Sequence, residues 1–271
     1  MSTRPQFGAL LSDSGVTFHL WAPAAREVSL VLDRKTAMPK DGEWFVLHVP
    51  QARAGTRYRF NIDNEIDIPD PASHFQPDDV HGPSEVIDHG YSWQCNDWKG
   101  RPWQEAVFSE THVGTFTREG TFRAMIDRLD HLAETGITAI ELMPLSDFPG
   151  RWNWGYDGVL PFAPDSSYGR PEDLKALIDA AHACGLMVFL DVVYNHFGPE
   201  GNHIGRIAPQ FFSDAHTPCA EPSTTACRRC AGLRSRMPCT GCGTTASTDC
   251  ALTLSTPSSR RASRVSSTSS V

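Results

Sequence analysis

Two periods of apolar spacing divide the chain. Up to about residue 65, apolar and polar residues alternate. GVTFHLWAP sets Val16, Phe18 and Leu20 against Thr17 and His19, and EVSLVLD places Val28, Leu30 and Leu32 on one face. WFVLHVP and TRYRFNID repeat the pattern, with Pro, Gly and Asp between the runs. A period of two is that of a strand with one buried face. Several such strands in close succession predict a small immunoglobulin-like β-sandwich over residues 1–65, able to fold alone.

Residues 66–105 have neither period and are rich in Pro, Asp and Gly, as in DIPDPASHFQPDDVHGPSEVID. A stretch of this length without regular structure is expected to bridge domains or to carry function. From residue 106 the pattern becomes strand, helix, strand, helix, strand. AVFSETHVGTF reads as a strand with His112 near its end. TFRAMIDRLDHLAETG spaces Phe122, Met125, Ile126, Leu129 and Leu132 as one helix closed by Gly136. ITAIELMP is a buried strand. RPEDLKALIDAAHACG is a helix with Pro171 in its first turn and Gly185 past its end. LMVFLDVVYNH is almost continuously apolar, as parallel strands covered on both faces are. The alternation predicts a parallel sheet over 106–218, in an open sheet or a (β/α)8 barrel, and the pattern alone does not separate the two.

Charge and cysteine content shift near residue 219. The formal net charge is −8. Residues 1–218 hold 17 Lys and Arg against 30 Asp and Glu, whereas residues 219–271 hold seven Arg against two acids. The acidic body argues against a nucleic-acid partner, which wants a basic face, and favours a neutral substrate. No run approaches the 18 apolar residues of a membrane span. The first residues lack the layout of a signal peptide. With Cys95 and Cys184 read as reduced thiols, a cytoplasmic protein is expected.

Polar residues concentrate where α/β folds bind ligands, at the carboxyl ends of strands. Glu141 ends the second strand of this region, and Asp191, Asn195 and His196 follow the third. GRWNWGYDGVLPFAPDSSYG adds Trp152, Trp154 and Tyr156, then Asp157 and Asp165. Aromatic plates beside carboxylates suit a sugar ring, with an apolar face to stack on and acceptors for hydroxyls. A surface loop packed on its own aromatics is the alternative.

DVVYNH resembles the first signature region of the α-amylase superfamily, whose members are retaining α-glucan enzymes on (β/α)8 barrels. FHLWAPAAREVSLVL is similar to the front sandwich of its branching, debranching and trehalose-forming members. PDPASHFQPDDVHGPS, HVGTFTREGTF and the run from Ile137 to Asn202 most resemble the malto-oligosyltrehalose trehalohydrolase family, over essentially residues 7–218. The resemblance implies cleavage of the α-1,4 bond next to a terminal trehalose, without a cofactor. The implied partner is a trehalose-capped malto-oligosaccharide, with no nucleic acid and no membrane. Tyr156 would stack on the glucose at the cleavage subsite and His196 would hydrogen-bond it. Asp191 and Asn195 would organise the strand end beneath, with Trp154 and Asp157 as further substrate-binding residues. A branching or debranching type of enzyme, or a non-catalytic glucan-binding module, are the rival readings.

Retaining glycosidases need two carboxylates about 5 Å apart, and in this family they come from later barrel strands with no matching positions here. The expected fold is therefore a β-sandwich followed by the N-terminal part of a (β/α)8 barrel, incomplete, with a disordered tail over 219–271, an exposed sheet edge and no catalytic residues. Twenty of the 53 tail residues are Ser or Thr, and none is aromatic. Cys227/Cys230 and Cys239/Cys242 have zinc-ligand spacing, but the tail offers almost no core to fold around a metal, and no metal site is assigned. A shifted reading frame accounts for the tail better. The third base of each codon from Cys239 to Ser258, joined to the first two of the next, permits YWLRDYGFDGLRLDAVHAI. Within it GLRLDAVH resembles the family's nucleophile-bearing strand, with the Asp straddling the codons of Leu252 and Thr253.

Overall fold

The computed structural model describes residues 7–212 except Asn195, and the backbone of 252–253. The remaining tail, including its expected disorder and its paired cysteines, lies outside the described residues.

The alternating segments become β1 (Gly8–Ser12), β2 (Gly15–Trp21), β3 (Val28–Val31), β4 (Lys35–Ala37), β5 (Lys40–Asp41), β6 (Trp44–Val49), β7 (Arg57–Ile62) and β8 (Ile66–Ile68). They form two antiparallel sheets, ordered β1-β2-β6-β5 and β4-β3-β7-β8. Because side chains alternate across a strand, Phe18, Leu30, Phe45 and Phe60 all turn inward, each at most 1% exposed. The core does not close on these strands alone. Phe162, Phe197, Ile204, Ile207 and Phe211, from far along the chain, belong to the same apolar cluster. The sandwich core, expected to be self-contained, is thus shared with residues that follow its last strand by more than ninety positions.

Residues 69–90 are irregular, as the sequence implies, but much of the stretch is core rather than tether. Asp70, Ser73, Gln76 and Ser84 are fully buried and bond one another. The Tyr58 hydroxyl donates to Asp70 Oδ2 at 2.7 Å, the Ala72 amide to Oδ1 at 2.8 Å, the Asp70 amide to Ser84 Oγ at 2.9 Å, and Ser84 Oγ to Gln76 Oε1 at 2.6 Å. Buried polar groups persist only when paired in this way. A short strand, β9 (Ser84–Glu85), joins this stretch to β7.

The second half holds three parallel strands: β10 (Phe108–Thr111), β11 (Ala139–Leu142) and β14 (Met187–Leu190). Between β10 and β11 lie α1 (Val113–Phe116), α2 (Phe122–Ile126) and α3 (Leu129–Glu134). Sequence spacing predicts one helix where α2 and α3 are two. The Arg128 amide bonds back to Met125 O, three residues earlier, and Arg128 sits at φ −110°, ψ −3°. The break keeps Phe122, Met125, Leu129 and Leu132 in one cluster with the outward faces of the strands, Ile140, Leu142 and Val188. Between β11 and β14 come a hairpin, β12 (Ser146–Asp147) with β13 (Leu160–Pro164), and then α4 (Pro171–Ala183). The hairpin was not predicted; a strand of two residues has no period to read. The Arg170 amide donates to Asp173 Oδ2, which starts α4, and Gly185 at φ +73° ends it.

The strands' inner face carries Ala139, Met187 and Phe189. Beyond β14, the chain forms α5 (Ile204–Ile207), and a two-residue strand, β15 (Leu252–Thr253), pairs antiparallel with β14. The sheet edge expected to be bare is thus partnered at Phe189 and Leu190, but in the direction opposite to a barrel strand. Among the described residues the parallel sheet has three strands and does not close, and no helix is long and apolar enough to cross a membrane.

Tyr58→Phe removes the donor that covers Asp70 and leaves a buried carboxyl oxygen unpaired. We expect a loss of about 1–3 kcal/mol of stability, read from urea unfolding, with the sandwich signal itself retained.

Candidate functional site

The three parallel strands run in register, Thr111 beside Leu142 beside Leu190. His112, Met143 and Asp191 therefore emerge on one rim. The Asp191 amide bonds to Leu142 O at 2.9 Å, which seats that residue against the second strand. Glu141 lies one residue below the rim. Burial pushes its carboxyl above the usual range, and the neighbouring Asp191 and Glu110 charges add to this. The rim is consequently acidic, and it faces a cavity of about 30 Å³ bounded by Leu145, Pro161, Leu190, Asp191 and Tyr194 among others.

Above the rim stands the loop between β12 and β13. Its rings are the most open apolar groups near the strand ends: Trp152 is 69% exposed, Trp154 76% and Tyr156 41%. The reading of this loop as one packed on its own aromatics is corrected by these values. The backbone, rather than the rings, holds the loop. Asn153 Oδ1 accepts from the Gly155 amide at 2.7 Å, and its Nδ2 donates to Asp157 Oδ2 at 2.9 Å. The Gly150 amide donates to Asp79 Oδ2 at 2.9 Å. Gly155, at φ +94°, passes so close that a Cβ would lie 2.4 Å from Pro144 O. Gly198 passes Asp157 O in the same way, and its amide bonds to Gly158 O at 3.1 Å. Only glycine permits either approach.

Trp154, Tyr156 and Asp157 thus share one loop, and His196 reaches it from the third strand. His196 Nε2 donates to Tyr156 O at 2.8 Å, which leaves its buried Nδ1 without a partner. Asp191 is on the rim, while Asn195 lies outside the described residues. Asp165, read from the sequence as a carboxylate for sugar hydroxyls, is instead a buried structural group. It accepts from the amides of Phe148 and Ser167 and from the Ser167 hydroxyl, and burial raises its carboxyl to about 6. Its neighbour Asp147 is fully buried; burial, with the Asp165 and Asp79 charges, pushes it well above the usual range. Sequence reasoning also passed over His112, Asn153, Gly155 and Gly198. The glycines offered a signal in their placement beside the aromatic and Asp-rich segments, but their tight approaches exist only in three dimensions.

Two modules fit this geometry. Residues 6–75 match carbohydrate-binding module 48 (isoamylase N-terminal domain), and residues 88–209 match the alpha amylase catalytic domain. Over these segments the chain is similar to members of the α-amylase superfamily. Within that superfamily it is 45% identical over 215 residues to the malto-oligosyltrehalose trehalohydrolase of Saccharolobus solfataricus, covering 78% of this chain and 38% of the relative. It is 47% identical over 216 residues to that of Deinococcus radiodurans, covering 78% and 36%. The chain thus spans little more than a third of the length of these curated relatives. A crystal structure from Salmonella typhimurium, described provisionally as an alpha amylase, superposes with a TM-score of 0.84 at 45% identity, over 88% of this chain and 42% of that one.

The carboxyls under the loop give a stability signature. A carboxyl whose pKa is raised on folding costs nothing below its unfolded value, and its penalty grows as pH rises toward the folded value. Asp147→Asn removes the charge and keeps the shape. It is expected to raise the melting temperature at pH 8 by roughly 2–4 °C, the shift of about 1 kcal/mol in a chain of this size. Near pH 4 the two proteins are expected to melt together; differential scanning calorimetry at both pH values checks this.

Proposed function

We propose that this chain supplies the glucan-holding rim of a retaining α-glycosidase that cuts the α-1,4 bond next to the terminal trehalose of a malto-oligosyltrehalose. The observation that carries the reading is the aromatic loop fixed over the strand ends, in a chain so similar to trehalohydrolases. Tyr156 stacks on the glucose at the cleavage subsite, and Trp154 offers a second plate further out. Asp157 accepts from sugar hydroxyls. His196, beside Tyr156, contacts the same sugar, and Asp191 with Asn195 sets the strand end below.

Hydrolysis with retention passes through a carboxylate nucleophile and a second carboxyl that protonates the leaving oxygen and then activates water. Residues 219–271 contain only Glu221 and Asp249 as acids. Their shifted frame, by contrast, permits the nucleophile-bearing GLRLDAVH. We therefore read the tail as out of frame, and the 271-residue chain as one that binds glucan without hydrolysing it. Among the described residues the sandwich presents no open large aromatic, so this reading gives the binding to the barrel loop.

Maltoheptaose is expected to quench the intrinsic tryptophan fluorescence of the chain, and Trp154→Ala to weaken that binding by on the order of tenfold, about 1.4 kcal/mol. Unchanged affinity in the variant would remove the loop from the site. No trehalose is expected from malto-oligosyltrehalose with this chain; its release would overturn the reading of the tail. Nucleotide sequence across codons 216–222 tests the same point, and an unbroken frame there, with a protein mass matching the 271-residue chain, would sink it.

A further inference from the structure

The loop that exposes Trp152, Trp154 and Tyr156 gains little from burying its own rings, so its position depends on what grips its backbone. Two imidazoles do so from opposite sides. His196, after the third strand, holds Tyr156 O. His112, directly after the first, points Nε2 at Asn153 O at 2.6 Å, the shortest of the loop's external bonds. Asn153 is the residue whose side chain orders Gly155 and Asp157. One hydrogen bond from His112 is thus passed on through Asn153 to both flanks of Tyr156.

The surroundings of His112 fix its ring for this purpose. Its backbone starts α1, with the amides of Thr115 and Phe116 bonding to its carbonyl at 3.1 and 3.0 Å. Tyr168 stands edge-on to it, and the Tyr168 hydroxyl is 3.4 Å from Nε2. Gly114 leaves the room: a Cβ there would meet Tyr168 at 2.9 Å and His112 at 3.0 Å. His112 Nδ1 is buried and has no partner, so the ring's proton belongs on Nε2, where the loop carbonyl accepts it.

We propose that His112 is a positioning residue for the glucan-binding loop: it touches no sugar, and it sets the height of Trp154 and Tyr156 over the rim by holding Asn153. This rests on the glucan reading above for its purpose, but its geometry can be tested separately. Two variants of similar bulk divide the possibilities, His112→Gln, which still offers an N–H, and His112→Leu, which does not. The first readout is tryptic cleavage after Arg151, an exposed bond in the loop; the second is maltoheptaose affinity by tryptophan fluorescence.

In the full 271-residue chain, His112→Leu is expected to speed cleavage at Arg151 and to weaken maltoheptaose binding, each about tenfold, on the scale of one lost hydrogen bond to a partly buried acceptor. His112→Gln is expected to restore most of both, and Tyr168→Phe, which leaves the bond to Asn153 intact, to behave as wild type at Arg151. Equal cleavage in the Leu variant and wild type overturns the proposal, as does a Gln variant no better than Leu. Cleavage spread over the whole chain in the Leu variant also overturns it, because His112 is then a general core group. If wild type fails to bind maltoheptaose while the Arg151 pattern holds, the clamp stands and the glucan reading falls.

Discussion

The in-register pairing of three parallel strands is the constraint from which the site follows. A one-residue slip between Thr111, Leu142 and Leu190 would turn every side chain of the slipped strand to the other face. Ile140, Leu142 and Val188 must meet the helices, and Ala139, Met187 and Phe189 must not. Once that choice is made, the next residue of each strand arrives at the same height. His112 and Asp191 come to one rim although 79 positions separate them in the sequence. Chemistry at such a rim is a by-product of packing on the faces below it.

The loop itself inverts the usual relation between side chain and backbone. Its apolar rings face water, and its peptide groups are held from Asp79, His112, His196 and the tight approaches at Gly155 and Gly198. A loop held this way can present flat apolar surface without collapsing onto it. Preorganisation of that kind lowers the entropy lost when a flexible oligosaccharide docks.

Much of this was legible in the sequence, for identifiable reasons. Alternation at Val16, Phe18 and Leu20 sufficed for β2, and the Pro171-to-Gly185 punctuation sufficed for α4. The aromatic loop was visible as Trp152, Trp154 and Tyr156 among polar residues. Asp165 was misread because an acid in a polar segment looks free until the amides of Phe148 and Ser167 are seen to converge on it. His112 was seen only as a strand end, since its partner Asn153 lies 41 residues away. The break between α2 and α3 escaped because the apolar spacing runs on unbroken across it.

The sharing of the sandwich core with Phe197, Ile204, Ile207 and Phe211 bears on the order of events at the ribosome. A chain emerging N-terminus first offers β1 to β8 long before the residues that complete their core. The contacts of Phe197, Ile204, Ile207 and Phe211 with that core can form only after the third strand has been made. Contacts of such long sequence separation are the slow ones to form, and they couple the packing of the two modules. A lesion in the segment after Leu190 would therefore reach the core of a domain whose own strands end more than a hundred residues earlier.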